Sequence, residues 1–329
     1  MSLKLPLILL IFACNLLFST NTLLLPFEIG FDPNKIKFLL VKGPGVYKEI
    51  KYQDKASLQS TSFKPGGLTV FLTHGFATPA IFYVTMGNIV SPFTTDSPFI
   101  DNYIFVDWSA LSGNVIFPLD LPLLYPIAVK NVATAGKRVA NFIEWLHYDG
   151  SINLDRIHLV GISLGAHLLG RVGTEIQLSM GGRKLPRITG LDPAGPLYYP
   201  SHPDWNIDKS DASFVDIYHS NAGFYGESTL GGHVDFILNN GHAQPGCNFI
   251  TDLLTCSHDF ALFLYLDTFK KAYVACQCSS RELDPGNFKQ CQEQCPNPIF
   301  AGVYTPHTAR GEYHITAEHL HTPFDILGR

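Results

Sequence analysis

Apolar residues fall along this chain in two alternating patterns. Short, mostly apolar runs occur at Leu68-Thr69-Val70-Phe71-Leu72-Thr73, Tyr103-Ile104-Phe105-Val106-Asp107-Trp108, Arg156-Ile157-His158-Leu159-Val160 and Arg187-Ile188-Thr189-Gly190-Leu191. Their β-branched and aromatic content is that of strands buried on both faces. Between and after them the spacing turns helical, over Ile127 to Leu146, over Leu168 to Val172 and over Phe260 to Phe269. Strand followed by helix followed by strand predicts a parallel sheet with crossover helices. Pro26 to Ser62, broken by Gly43, Pro44 and Gly45, reads as leading strands and turns without visible chemistry. No low-complexity linker or repeat divides the chain, so residues 23–329 are expected to form a single α/β domain.

The first stretch departs from this pattern. Met1 to Thr22 has one Lys, an apolar run from Leu5 to Phe18 and small polar residues after it, the composition of a secretory signal peptide. Residues 1–22 are therefore read as a cleaved leader and the rest as a secreted, extracellular protein. Of seven cysteines, Cys14 falls in that leader, which leaves Cys247, Cys256, Cys276, Cys278, Cys291 and Cys295 near the C-terminal end. Six cysteines in an exported chain predict three disulfides, and no C-x-x-C pair favours zinc. The formal charge of −5, or −6 without Lys4, argues against nucleic acid as an electrostatically driven partner.

Chemistry is concentrated where the strands stop. The run ending at Val160 passes into Gly161-Ile162-Ser163-Leu164-Gly165-Ala166-His167 and then into helical residues. A G-x-S-x-G at a strand-to-helix corner is a nucleophile elbow, with glycines where a Cβ would clash and Ser163 lifted off the sheet edge. The strand ending at Thr73 continues into His74-Gly75-Phe76, suited to an oxyanion-hole loop with Phe76 N–H as one donor and Leu164 N–H, after the nucleophile, as the other. Asp192, in Asp192-Pro193-Ala194-Gly195-Pro196, closes a strand on the same edge and is the acid candidate. Asp107 also closes a strand but precedes Ser163, and the order nucleophile, acid, histidine makes it structural. Among thirteen histidines the base candidate is His258, read on a loop ahead of an apolar helix, with His219, His233 and His242 as rivals in the same order.

Taken together these stretches resemble the pancreatic-type lipase family, which includes phospholipases A1 of vertebrates and insect venoms. The matching pieces are Thr73 to Phe76, Val106-Asp107-Trp108, Gly161 to His167, Gly190 to Pro196, Ser210-Asp211-Ala212, Phe214-Val215-Asp216, Gly232 to Phe236, Gln244 to Cys247 and Cys256-Ser257-His258. The resemblance spans roughly residues 65 to 325 and implies an α/β-hydrolase fold: a mostly parallel central sheet, flanking helices and a disulfide-rich C-terminal part. It implies Ser163 as nucleophile, Asp192 as acid, His258 as base, and the Phe76 and Leu164 N–H groups as oxyanion donors, with no cofactor. Ile162 departs from the family, standing where most members have His. Of the family's structural calcium positions, Asp208 and Asp211 match carboxylates while Pro203 and Asn206 occupy the other two, so no metal is expected. The separate β-sandwich domain of pancreatic members is not expected here, nor is a colipase-like partner, and the protein is expected to act as a monomer on lipid at a membrane or micelle surface.

In the family the segment bounded by the disulfide matching Cys247 and Cys256 is the lid, and short lids resemble the phospholipases A1. Only eight residues, Asn248 to Thr255, lie between these cysteines, and His219 to Gly232 is also shortened. Phe249, Ile250, Leu253 and Leu254 would form an apolar lip. The remaining four cysteines permit three pairings, of which the nested one, Cys278 with Cys291 and Cys276 with Cys295, is expected. The expected activity is hydrolysis of the sn-1 acyl ester of phospholipids. A triacylglycerol or general neutral lipase is the alternative, and a non-catalytic lipid-binding or yolk-type relative is the second.

Overall fold

The computed structural model describes residues 29–78, 80–113, 121–198, 205–278, 291–318 and 320; the expected leader, Met1 to Thr22, lies outside them. The apolar runs pair into a nine-stranded sheet of order β11-β8-β7-β6-β5-β3-β4-β1-β2. Its strands are β1 (Lys37–Gly43), β2 (Val46–Glu49), β3 (Thr69–Thr73), β4 (Asn102–Asp107), β5 (Ile157–Ile162), β6 (Leu185–Leu191), β7 (Ala212–His219), β8 (Val234–Leu238) and β11 (Gly311–Ile315). From β4 across to β11 every pairing is parallel, and only the leading strands β1 and β2 join antiparallel. Two short strands, β9 (Val274–Ala275) and β10 (Ile299–Phe300), form a separate antiparallel pair.

Alternation along each strand sends side chains to two cores. Phe71 and Leu159 face one, with the helices Leu121–Tyr148 and Leu164–Ser179. Val70, Leu72, Val160 and Ile162 face the other, with the helices Gly87–Thr94 and Cys256–Asp267. Coverage on both sides explains why these strands read as mostly apolar runs. Ile162, where the family usually has His, is 2% exposed in the second core, so the apolar side chain packs beneath the elbow.

Two boundaries differ from the sequence reading. The long helix begins at Leu121 rather than Ile127, taking in Pro122 and Pro126. Proline is tolerated where the first N–H groups have no intrahelical acceptor, and only Pro126 removes an interior bond. The apolar helix begins at Cys256, so His258 lies in its first turn and not on a preceding loop. The cap is Thr255 at φ 73°, assisted by Asp252 Oδ1 accepting from Ser257 N–H at 2.9 Å. A cap borrowed from the previous turn has no sequence signature.

Register aligns the loops that matter. Thr73 stands opposite Gly161, Gly161 opposite Gly190, and Ile162 opposite Leu191. The loops after β3, β5 and β6 therefore leave the sheet at one level, and β5 meets β3 where the strand order reverses direction. Such a switch point opens a crevice at the carboxyl ends of the strands.

Candidate active site

Ser163 occupies the corner between β5 and the helix Leu164–Ser179, with φ 58° and ψ −126°. A non-glycine residue in that region is strained by about 1–3 kcal/mol, and the surroundings must hold it there. Its N–H donates to Leu191 O at 3.0 Å, which ties the elbow to the residue before Asp192, and its C=O accepts from Ala166 N–H at 3.1 Å. Glycines around the serine are required by what lies against them. A Cβ on Gly165 would sit 2.6 Å from His74 O, and one on Gly75 would sit 2.7 Å from Ser163 Cβ. The loop after β3 is thus pressed against the serine itself.

That loop is braced from behind. His74 is fully buried; its Nδ1 is 2.8 Å from Gly75 O, and its Nε2 accepts from Trp108 N–H at 3.2 Å. The ring must then carry its proton on Nδ1 and donate to Gly75 O. Trp108 Nε1 returns a bond to His74 O at 2.8 Å. Among the described residues nothing accepts from the N–H of Phe76 or of Leu164, the first residue of its helix. Two free donors beside a strained serine can receive negative charge developing there.

Asp192 and His258 meet directly. Asp192, fully buried with φ 41°, places Oδ2 at 2.6 Å from His258 Nδ1. Its Oδ1 accepts from Ser220 N–H at 2.7 Å and Asn221 N–H at 3.0 Å. With Nδ1 donating to the carboxylate, Nε2 is the nitrogen left to take a proton. Burial works against the imidazolium, but the hydrogen bond and charge of Asp192, with Asp259 behind, outweigh it and hold the His258 pKa above its ordinary value. Ser163 Oγ makes no hydrogen bond to His258 among the described residues; nucleophile and base often tighten only around substrate.

The rivals have other partners. His219 Nε2 pairs with Asp235 Oδ1 at 3.0 Å, His233 Nδ1 accepts from Val215 N–H at 3.0 Å, and His242 Nδ1 lies 2.7 Å from Ala222 O. Asp107 accepts from Ser109 N–H and Oγ at 3.0 and 2.6 Å, a turn cap. The donors Ser220 and Asn221 were not legible in the sequence, because a backbone N–H leaves no mark on residue type.

Cys247 joins Cys256, Cys276 joins Cys295 and Cys278 joins Cys291. Between the first pair, Phe249 and Ile250 are 72% and 71% exposed, with Leu253 and Leu254 nearly half exposed. The two carboxylates matching calcium positions, Asp208 and Asp211, lie among the described residues and bond within or beside their own turn. Asp211 Oδ2 accepts from Asp208 N–H at 2.9 Å and its Oδ1 from the Thr174 hydroxyl at 3.0 Å, and burial pushes its pKa up to about 7. Asp208 Oδ1 caps Ser210 N–H at 2.5 Å, and Pro203 lies outside the described residues. The one His/Cys/Asp/Glu grouping of ligand-like spacing among the described residues, Cys247, Asp252 and Cys256, contains the disulfide.

A mostly parallel sheet with a strained serine elbow at its switch point defines an α/β-hydrolase. The sequence profile of the family described as Lipase matches residues 24–304, and the chain belongs to that family. It is 36% identical over 235 residues to lipase member H of Xenopus tropicalis, covering 69% of this chain and 48% of that protein. It is 30% identical over 273 residues to hepatic triacylglycerol lipase of Rattus norvegicus, covering 75% and 53%. The chain spans about half the length of the curated relatives it matches. Among solved structures, a thermophilic esterase of Thermogutta terrifontis aligns at 11% identity and TM-score 0.31, covering 60% of this chain and 73% of that one.

Proposed function

We propose that this protein is an extracellular serine esterase that releases the sn-1 acyl chain of phospholipids through Ser163, His258 and Asp192. The observation that carries the reading is the 2.6 Å contact between Asp192 and His258 on the sheet edge that presents strained Ser163. His258 Nε2 takes the Ser163 proton as Oγ attacks the acyl carbonyl. Asp192 holds the tautomer and stabilises the imidazolium. The Phe76 and Leu164 N–H groups hold the oxyanion, each contributing about 3 kcal/mol. His258 then protonates the leaving alcohol, and water activated by the same nitrogen hydrolyses the acyl-enzyme.

The short lid segment points to the substrate class. One turn of helix, Phe249–Asp252, inside a ten-residue disulfide loop makes a short lid segment that offers an apolar lip to a lipid surface. A small lid suits a substrate already presented at a membrane or micelle surface by its headgroup, with no large opening step. Neutral lipase activity is the second reading, favoured by the relative named for triacylglycerol. Three disulfides support an extracellular location. Among the described residues no helix is long and apolar enough to cross a membrane.

The test is mass spectrometry of the products from a phosphatidylcholine with two different acyl chains, beside emulsified triglyceride, using wild type and Ser163→Ala. Dominant sn-1 release lost in the variant is expected. Dominant sn-2 release, or faster triglyceride turnover, would reject the phospholipid assignment, and no turnover of any ester would reject the triad.

A further inference from the structure

Behind the acid lies a carboxyl group that the mechanism above does not use. Glu227 is 2% exposed, although it sits in the loop after β7 where a glutamate would ordinarily face water. Its backbone laces that loop to the loop carrying Asp192: its N–H donates to Pro193 O at 2.8 Å and its C=O lies 3.3 Å from His219 Nδ1. The residue before it, Gly226, rests against the Asp192 carboxylate. On the far side, Asn206 Nδ2 donates to Glu227 Oε2 at 3.2 Å. The neighbouring Ile207 N–H donates to His167 Nδ1 at 3.2 Å, and His167 belongs to the elbow helix. The pair of side chains therefore bridges the acid loop and the segment resting on the nucleophile's helix.

That pair is half satisfied as an ion and an amide. Glu227 Oε1 and Asn206 Oδ1 are both buried without a hydrogen-bond partner among the described residues, and both are acceptors if the carboxyl is ionised. A neutral carboxylic acid is complementary to a carboxamide, since its carbonyl accepts the amide N–H while its O–H donates to the amide oxygen. A proton on Oε1 directed at Asn206 Oδ1 would give both orphans a partner at once. The charges facing Glu227 favour the proton. Asp192 from the loop after β6 and Asp235 from β8 repel a further negative charge, the Tyr198 hydroxyl stays neutral, and His219 on β7, which opposes them, is already paired with Asp235.

We propose that Glu227 is a positioning residue carried in its protonated form, whose carboxylic acid pairs with the Asn206 carboxamide and locks the Asp192 loop to the elbow helix, and that ionising it loosens the acid. Burial first, then Asp235 and Asp192 against the opposing His219, pushes the Glu227 pKa up to about 8. The lock is therefore closed at neutral pH and opens in mild alkali. The effect on catalysis rests on the triad reading of Ser163, His258 and Asp192; the protonation of Glu227 does not.

Two measurements separate those parts. Infrared difference spectra of the full chain in a Ser163→Ala background, with and without Glu227→Gln, should show a protonated-carboxyl band at neutral pH that belongs to Glu227 and titrates near pH 8. A carboxylate band in its place would overturn the proposal whatever the enzyme does. Asn206→Ala should shift that band by removing its partner, and an unshifted band would break the pairing. In the active enzyme, one pH unit above the titration leaves about a tenth of the locked form, so activity should fall on the order of tenfold by about pH 9. Glu227→Gln, which can make the same two bonds without titrating, should fold, keep neutral-pH activity and lose that alkaline decline. An unchanged decline, or a Gln variant that does not fold, would overturn the lock. A titrating band in a protein with no esterase activity would leave the lock standing and remove the triad.

Discussion

Gly226→Ala tests the acid without touching it chemically. Gly226 does not have a left-handed φ, so alanine can adopt its backbone, and the added methyl is the whole perturbation. That methyl would lie 2.5 Å from Asp192 Oδ2, 2.6 Å from Oδ1 and 2.7 Å from Cγ. Carbon needs about 3.5 Å from its neighbours, so something must yield by about 1 Å. Neither side is free: Gly226 N–H is bonded to Asn221 O, Glu227 N–H to Pro193 O, and the carboxylate is held by Ser220, Asn221 and His258. Overpacking of this kind costs about 1–3 kcal/mol. A misplacement of about 1 Å in a catalytic group lowers turnover roughly 100-fold, with a ceiling near 10⁴-fold if the acid is lost as orienter. The assay is kcat on a soluble short-chain ester, with melting by circular dichroism to score the fold. Gly223→Ala is the control, because its φ of +82° brings strain while the nearest atom is Ser228 Oγ at 4.0 Å. It should lose stability and keep activity. A folded Gly226→Ala protein within about threefold of wild type would refute the role of Asp192, since that is far short of the loss a 1 Å displacement implies.

Ser163→Ala should fold normally, lose labelling by an active-serine organophosphate and retain less than about a thousandth of the esterase rate; more residual activity would sink the nucleophile. Because the His258 pKa is raised and the base must be neutral, kcat/KM should fall on the acid side with an apparent pKa above about 6.5. Asp192→Asn should move that limb to lower pH, where burial is opposed only by the more distant charge of Asp259, and an unmoved limb would unlink the two groups. The same raised pKa contributes stability that is fully present below about pH 6.5 and lost as pH rises through the folded value. Replacing Cys247 and Cys256 by Ser should cost about 3 kcal/mol from loop closure and reduce kcat before global unfolding, because Cys256 opens the helix that carries His258. Full activity of the opened form at a temperature where it remains folded would contradict that link.

The strands were legible because both faces of the sheet are covered. Thr69–Thr73 and Ile157–Ile162 carry a mostly apolar, β-branched signal that local propensity and tertiary burial both favour. The start of the His258 helix was not, since its cap is assembled from Thr255 at φ 73° and the Asp252 side chain of the preceding turn. Within the candidate site, Ser163 and Asp192 were suggested by motif and order, whereas order alone left His258 beside His219, His233 and His242 until the family resemblance singled it out. The groups that hold them could not be named. Ser220 and Asn221 act through backbone N–H, and Glu227 reads as an ordinary loop acid until its burial is seen.

Glycine shows the same division between what a sequence marks and what it conceals. Gly75, Gly165 and Gly226 each stand where a Cβ would come within 2.7 Å of another atom, and each approach fixes a different part of the site: the β3 loop against Ser163, the elbow helix against His74, and the β7 loop against Asp192. The sequence displays the glycine but not what it meets. Gly75 and Gly165 were readable because they belong to motifs whose geometry is set locally by a strand and its next turn. Gly226 lies 34 residues after Asp192 in the chain, at the end of a loop that reaches the acid only because β7 pairs beside β6. A close approach made by sheet pairing, rather than by chain neighbours, becomes visible only once the register is known.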